Sequence, residues 1–183
     1  HVRSRRQRQM CIRDSSKVMA WVAFDRAAGL ADTTEEGRER GQHYRQVADE
    51  IHRDVCEHGL DPSGRFFVQA YGSTEMDASL LQIALTGFLP ADDPRFMRTL
   101  EQIEQRLMKN GLLLRYDSDS CSDGLTPGEG TFLVCSFWLA DVYVLLGRQA
   151  KAEALYQHLT GLCNDLGLLA EQYDSAGQRM LGN

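Results

Sequence analysis

The chain has 183 residues, 43% hydrophobic and 25% charged, the balance of one globular unit with enough apolar side chains to form a core. Its longest apolar run, residues 132–146, is broken by Ser136 and Asp141 and falls short of the roughly 18 residues a membrane span requires, so no membrane partner is expected. The formal charge of −6 is uneven: residues 1–15 hold five Arg and one Asp, and nothing after them is built to follow a phosphate backbone, which argues against nucleic acid as a partner.

Residues 1–15 show no hydrophobic period and do not begin with Met. An Arg-rich presequence or a basic arm has this composition, but a presequence is also amphipathic. The preferred reading is a non-native segment, joined or read in a wrong frame, expected to be disordered and separate from the fold of residues 16–183. The abrupt stop at Leu181-Gly182-Asn183 points the same way, to a piece of a longer domain.

From Ser16 the pattern is helical, and the helices are of two kinds. Residues 16–31 are apolar on most faces, at Val18, Met19, Trp21, Val22 and Phe24, which predicts an enclosed helix. Residues 34–58 are charged except for a stripe at Tyr44, Val47, Ile51 and Val55, the pattern of a surface helix. The pair recurs. Residues 75–85 are apolar at Met76, Leu80, Leu81, Ile83 and Leu85, and residues 94–109 carry one stripe at Phe96, Leu100, Ile103 and Leu107, with Asp93 placed to cap a helix that has Pro94 at its first position. In the third pair, residues 131–146 are apolar all round and residues 149–163 are striped at Ala152, Leu155, Tyr156, Leu159 and Leu162.

Three repeats of a buried helix followed by a surface helix predict an all-α fold in which inner and outer helices alternate, a partial α/α barrel. A helical solenoid also gives hairpins, but its helices need only one apolar interface each and repeat more regularly. The links leading from each outer helix to the next inner one are long, at residues 59–74, 110–130 and from 164 onward. They must lie at one end of such a barrel, and long links in compact domains are often functional, so a pocket is expected there.

Two stretches on these links carry a family signal: Gly128-Glu129-Gly130-Thr131-Phe132-Leu133-Val134-Cys135-Ser136-Phe137-Trp138-Leu139-Ala140-Asp141, and Asn164-Asp165-Leu166-Gly167-Leu168-Leu169-Ala170-Glu171-Gln172-Tyr173-Asp174. Together they resemble glycoside hydrolase family 15, the glucoamylase and trehalase-like enzymes. Tyr71-Gly72-Ser73-Thr74-Glu75-Met76-Asp77 is similar to a loop that enters an inner helix of those enzymes. The resemblance implies an inverting α-glucoside hydrolase that releases glucose from non-reducing ends, acting on an α-glucan oligosaccharide or a trehalose-like disaccharide, with no cofactor and no metal. It also implies a toroid of six hairpins, of which about half is present, residues 16–183 being its C-terminal part.

Inversion requires a carboxylic acid to protonate the leaving oxygen and a carboxylate to activate water, set roughly 6.5–9.5 Å apart. By the resemblance Glu171 is the general base, projecting from a short, buried, strand-like run; the plain alternative is a solvated loop glutamate. The family's acid lies in a Trp-Glu-x-Arg-Gly segment upstream of the helix that here starts at Ser16, where this sequence has Arg and Ser and no Glu before Glu35. The chain by itself is therefore expected to be inactive.

The resemblance implies substrate contacts as well. Arg115, beside Tyr116, stands where the family places an Arg on sugar hydroxyls, work suited to a planar guanidinium fork; a surface Arg is the alternative. Glu129 could hold a sugar hydroxyl or that Arg, or simply favour a helix N-terminus. Asp77 could face the pocket or cap its helix. Lys17 and Trp21 lie one turn apart on the first apolar helix, where a Trp can stack on a sugar or fill the core.

Other chemistry finds little support. The acidic run at residues 117–124 mimics a calcium loop but has the wrong spacing. Cys11, Cys56, Cys121, Cys135 and Cys163 form no metal or redox motif and are read as reduced thiols of a cytoplasmic protein. Two rival functions stay open: a non-catalytic helical-hairpin scaffold, and a lyase or epimerase using Tyr71 or Tyr116 as base. A half barrel also exposes apolar helix sides, so self-association is expected.

Overall fold

The computed structural model describes residues 14–31, 37–116 and 130–181. Three helical hairpins form an arc. The first pairs α1 (Asp14–Ala31) with α2 (Arg38–His58). The second pairs a 3₁₀ turn (Ala78–Leu81) continued by α3 (Gln82–Leu85) with α4 (Pro94–Leu107), and the third pairs α5 (Leu133–Leu145) with α6 (Gln149–Thr160). The inner elements touch in order, α1 against α3 and α3 against α5, while α2 packs on α1, α4 on the 3₁₀ turn and α6 on α5. This is the alternation of a partial α/α barrel.

The surface helices bury the stripes their sequences carry. In α4 these are Phe96, Thr99, Leu100, Ile103 and Leu107, facing a core that includes Phe67, Leu80, Leu81 and Ile83. Asp93 caps α4 by accepting the Arg95 N–H at 2.8 Å, ahead of Pro94, whose missing N–H costs nothing at that position. In α6 the buried residues are Ala152, Leu155 and Leu159; Tyr156, counted in the stripe, points outward at 56% exposure.

The inner helices depart from expectation in two ways. Residues 75–77 are not helical: Asp77 is extended at φ −138°, ψ 135°, and the helix that follows is a 3₁₀ turn leading into a single α-turn. The first inner helix, expected to be enclosed, buries Val18 and Ala28 but leaves Met19 and Leu30 exposed; among the described residues it packs chiefly on α2, with smaller contacts to α3 and the 3₁₀ turn.

Two small antiparallel sheets complete the structure. A hairpin joins β1 (Met108–Lys109) to β2 (Leu112–Leu113), and a three-stranded sheet runs β3 (Thr131–Phe132), β4 (Gln172–Asp174), β5 (Arg179–Leu181). Among the described residues, no helix is long and apolar enough to cross a membrane.

Candidate active site

The described parts of the long links meet the N-terminal ends of the 3₁₀ turn and of α5. The first link is organised by Asp61, a buried carboxylate that accepts the N–H groups of Ser63, Arg65 and Phe66 at 3.0, 2.7 and 3.1 Å and also the Ser63 hydroxyl. Burial works against its charged form, but these hydrogen bonds together outweigh it and hold the pKa at about 2. The link is tied to α4 where the Phe67 N–H donates to the Thr99 hydroxyl at 2.9 Å, inside the core.

The second link opens as a hairpin. Asn110 and Gly111, at φ 53° and 78°, are the two left-handed residues of a type I′ turn between β1 and β2. Strand β2 then delivers Arg115 and Tyr116 to the start of the 3₁₀ turn. The Leu113 N–H donates to the Ser136 hydroxyl at 2.8 Å, the Ala78 N–H donates to the Arg115 carbonyl at 2.7 Å, and Tyr116 pairs with Asp77 in an antiparallel bridge. Asp77 is 1% exposed; its carboxylate caps the 3₁₀ turn through the Ser79 N–H at 2.8 Å and accepts from the Gln69 amide at 3.3 Å.

The third link brings in Glu171. The first N–H groups of a helix have no partner within it. The Leu133 N–H, at the start of α5, donates to the Glu171 carbonyl at 3.0 Å. Phe132 pairs with Gln172 and Thr131 with Tyr173, so Glu171 lies immediately before β4, and it is exposed. The Arg115 guanidinium stands 5.9 Å from the centre of the Phe132 ring. Phe132 therefore neighbours Arg115 through its ring and the Glu171 segment through its backbone, while Tyr116 pairs with Asp77.

The run before Glu171 is buried only in part: Leu169 and Ala170 are half-buried, Leu169 packing against the core, and the residues ahead of them are not. Leu166 and Leu168 are 76% and 61% exposed. The Asn164 side chain accepts the N–H groups of Leu166 and Leu168 at 3.0 and 2.9 Å, closing a turn through Gly167 at φ 76° that turns both leucines outward. The strand begins only at Gln172.

Part of the motif before α5 serves packing. A Cβ on Gly130 would lie 2.6 Å from Leu181 Cδ1 and 3.0 Å from the Tyr173 carbonyl oxygen, so a larger residue would have to displace the Leu181 side chain and crowd β4. Glu129 and the acidic run at 117–124 lie outside the described residues.

Lys17 and Trp21 belong to a second group. Lys17 pairs with Asp54 of α2 and stands 4.2 Å over the Tyr71 ring, while the Tyr71 hydroxyl donates to Asp54 at 2.7 Å. Lys17 first and Tyr71 second hold the Asp54 carboxyl below its ordinary range. This group ties α1 and α2 to the first link. Trp21 packs edge-on to Phe88, centroids 5.1 Å apart, and near His52 at 6.3 Å, in the seam between α1 and α2.

Sequence reasoning missed three residues that build these groups: Asp54, Thr99 and Ser136. It also missed the hairpin that carries Arg115, although Asn110-Gly111 between apolar residues is its signal. Cys135 lies near Asp77 and Arg115, but burial pushes its thiol up to about 12, which makes it inert as a nucleophile. Among the described residues Cys56, Cys135 and Cys163 are free thiols, and no three His, Cys, Asp or Glu side chains are grouped to hold a metal ion.

Comparison with known proteins gives a consistent result. The family model for glycosyl hydrolases family 15 matches residues 5–183. The chain is 46% identical over 169 residues to a trehalase of Mycobacterium tuberculosis, covering 92% of this chain and 25% of that protein. It is 40% identical over 169 residues to a trehalase of Thermoplasma volcanium, covering 92% and 26%. The chain thus spans about a quarter of the length of these relatives. Among solved structures, a single-residue variant of a glycosidase superposes with a TM-score of 0.75 at 20% identity over 91% of this chain and 44% of that one. A bacterial glucoamylase complexed with acarbose does so with 0.69 at 16% identity, over 87% and 29%. At these identities the structural likeness shows the fold.

Proposed function

The chain belongs to glycosyl hydrolases family 15, and from that membership we propose that the protein carrying it hydrolyses an α-glucosidic bond with inversion, with trehalose, for which its curated relatives are named, as substrate. Glu171 is the general base. The observation that carries this reading is the Leu133 N–H to Glu171 carbonyl hydrogen bond, which holds an exposed carboxylate-bearing residue at the mouth of α5, one strand pair from the ring under Arg115.

In this scheme water approaches the anomeric carbon from the Glu171 side, and the Glu171 carboxylate takes its proton as the glycosidic bond breaks. Arg115 offers its fork to the hydroxyls of the bound glucose, with Tyr116 beside it. Asp77 acts from behind by fixing the backbone to which Tyr116 pairs; Lys17 lines the first link at Tyr71, and Trp21 stands one turn further along α1. At the place of the family's proton donor, upstream of Ser16, this sequence has Arg and Ser and no Glu, so the 183-residue chain alone is expected to turn over no trehalose.

The lyase alternative loses its first candidate base, because the Tyr71 hydroxyl is committed to Asp54 and its ring lies under Lys17. Glucose release from trehalose by the whole protein, compared with its Glu171→Gln variant, tests the proposal. The expected loss is about 10²–10⁴-fold in turnover with an unchanged circular dichroism spectrum. A variant that keeps its rate would remove Glu171 from the mechanism.

A further inference from the structure

The first turn of α5 touches both halves of the candidate site, at positions one helical turn apart. At Leu133 the backbone N–H holds the Glu171 carbonyl at 3.0 Å. At Ser136 the side-chain hydroxyl, fully buried, accepts the Leu113 N–H at 2.8 Å. Leu113 is itself buried and lies two residues before Arg115, and the Arg115 carbonyl in turn holds the Ala78 N–H at 2.7 Å. The first turn of α5 thus holds the base-bearing link at its N-terminal end by a main-chain bond and the arginine-bearing link at its side by a side-chain bond.

We propose that Ser136 is a positioning residue that sets the distance between Arg115 and Glu171, by clamping the strand that carries Arg115 to the same helical turn that holds Glu171. Leu112 and Leu113 are both buried, and the Leu113 N–H is turned towards α5. Over its first turn that helix is otherwise apolar, with Leu133, Val134, Cys135 and Phe137 around the one hydroxyl. A hydroxyl there is costly unless it is used, and an unpaired buried N–H is costly too. Pairing the two removes both penalties and fixes β2 against the helix. The proposal rests on the reading of Arg115 and Glu171 given above.

Two bonds of different kind make the clamp separable by mutation. Ser136→Ala cuts the bond to β2 and leaves the Leu133 main-chain bond to Glu171 intact. Arg115, which binds the sugar, then loses its fixed position, while Glu171, which acts on water, keeps its own. In the whole protein the expected result is a KM for trehalose raised about tenfold with kcat changed less than about threefold, the pattern of lost ground-state binding. Ser136→Thr, which retains the hydroxyl, restores the wild-type KM. A purely structural role would instead reduce the active fraction, lowering apparent kcat in both variants with KM unchanged, and that result overturns the proposal.

Amide hydrogen exchange gives an independent reading that needs no turnover. In Ser136→Ala the Leu113 and Ala78 amides should exchange about tenfold faster while the Leu133 amide keeps its protection. Equal protection of Leu113 in wild type and Ser136→Ala overturns the clamp. A wild-type protein that releases no glucose contradicts the glycosidase reading alone, and the exchange rates then decide the clamp by themselves.

Discussion

A carboxylate folded into a loop records pH in the stability of that loop, and Asp61 is the clearest case here. Its folded pKa of about 2 lies below the ordinary 3.8, so the ionised form is favoured by folding. The stabilisation is present above the unfolded value and is lost as pH falls through the folded one. Asp54 and Asp93 are lowered as well, chiefly by Lys17 and by Arg95 respectively. Thermal unfolding followed from pH 7 downward should therefore show a Tm that is level to about pH 4 and falls steeply between about 4 and 2, and Asp61→Asn should flatten part of that fall. A wild-type Tm indifferent to pH in this window would contradict the hydrogen-bond assignment. A second residue-scale prediction concerns Gly130. Gly130→Ala drives a methyl into Leu181 and the Tyr173 carbonyl, and should cost about 1–3 kcal/mol in stability by chemical denaturation; a neutral effect would mean that β4 does not cross there as described. Glu171 and Arg115 are singled out in the sequence because the surrounding residues resemble a known family, and their roles are left to the variants proposed above. Asp54 is not, because one acid on a heavily charged helix gives no sign that Lys17 and Tyr71 will meet it from elsewhere in the chain.

Among the elements, periodicity serves the amphipathic helices well and the inner ones less so. The stripe of α4 and its Asp93-Pro94 start are readable because capping and burial obey local rules. Replacing Asp93 by Ala removes the cap and the pairing with Arg95 at 2.9 Å, and should destabilise the chain by about 1 kcal/mol, measured as a shift in the urea midpoint. No shift would show that the helix starts without its cap. Apolar spacing carries α4 past its true end, since it runs on through Met108 while the Asn110-Gly111 turn reverses the chain into a hairpin. The inner segment at 75–85 has helical spacing throughout, yet it is not one helix. Tertiary pairing wins instead: Asp77 is drawn into an extended bridge with Tyr116, so the helix can begin only after it, as a 3₁₀ turn. These two departures are what place Arg115 beside Phe132 and Tyr116 beside Asp77, so the elements that local pattern misjudges are those that build the candidate site.

Over the whole molecule, alternating apolar and striped helices are enough to reveal two layers, because burial on several faces is a property of composition and survives errors in helix boundaries. The same property has a consequence for solution behaviour. Along α5, Val144 and Leu145 are 52% and 55% exposed, and with Trp138, Gln82, Leu85 and Asp141 they line an open groove of about 480 Å³ between α3 and α5. Met19 and Leu30 are exposed on α1. Such surfaces promote association, so the isolated 183-residue chain should sediment as concentration-dependent oligomers; a monodisperse monomer across a wide concentration range would count against it. If Glu171 activates water in an inverting reaction, the anomeric form of the released sugar reports on it without an intermediary. Proton NMR of the first glucose released from α,α-trehalose by the whole protein should show the α and β anomers in equal amounts, the inverted sugar being β and the departing one α, with both signals lost in Glu171→Gln. Release of the α anomer alone, or an undiminished signal from the variant, would contradict that role for Glu171.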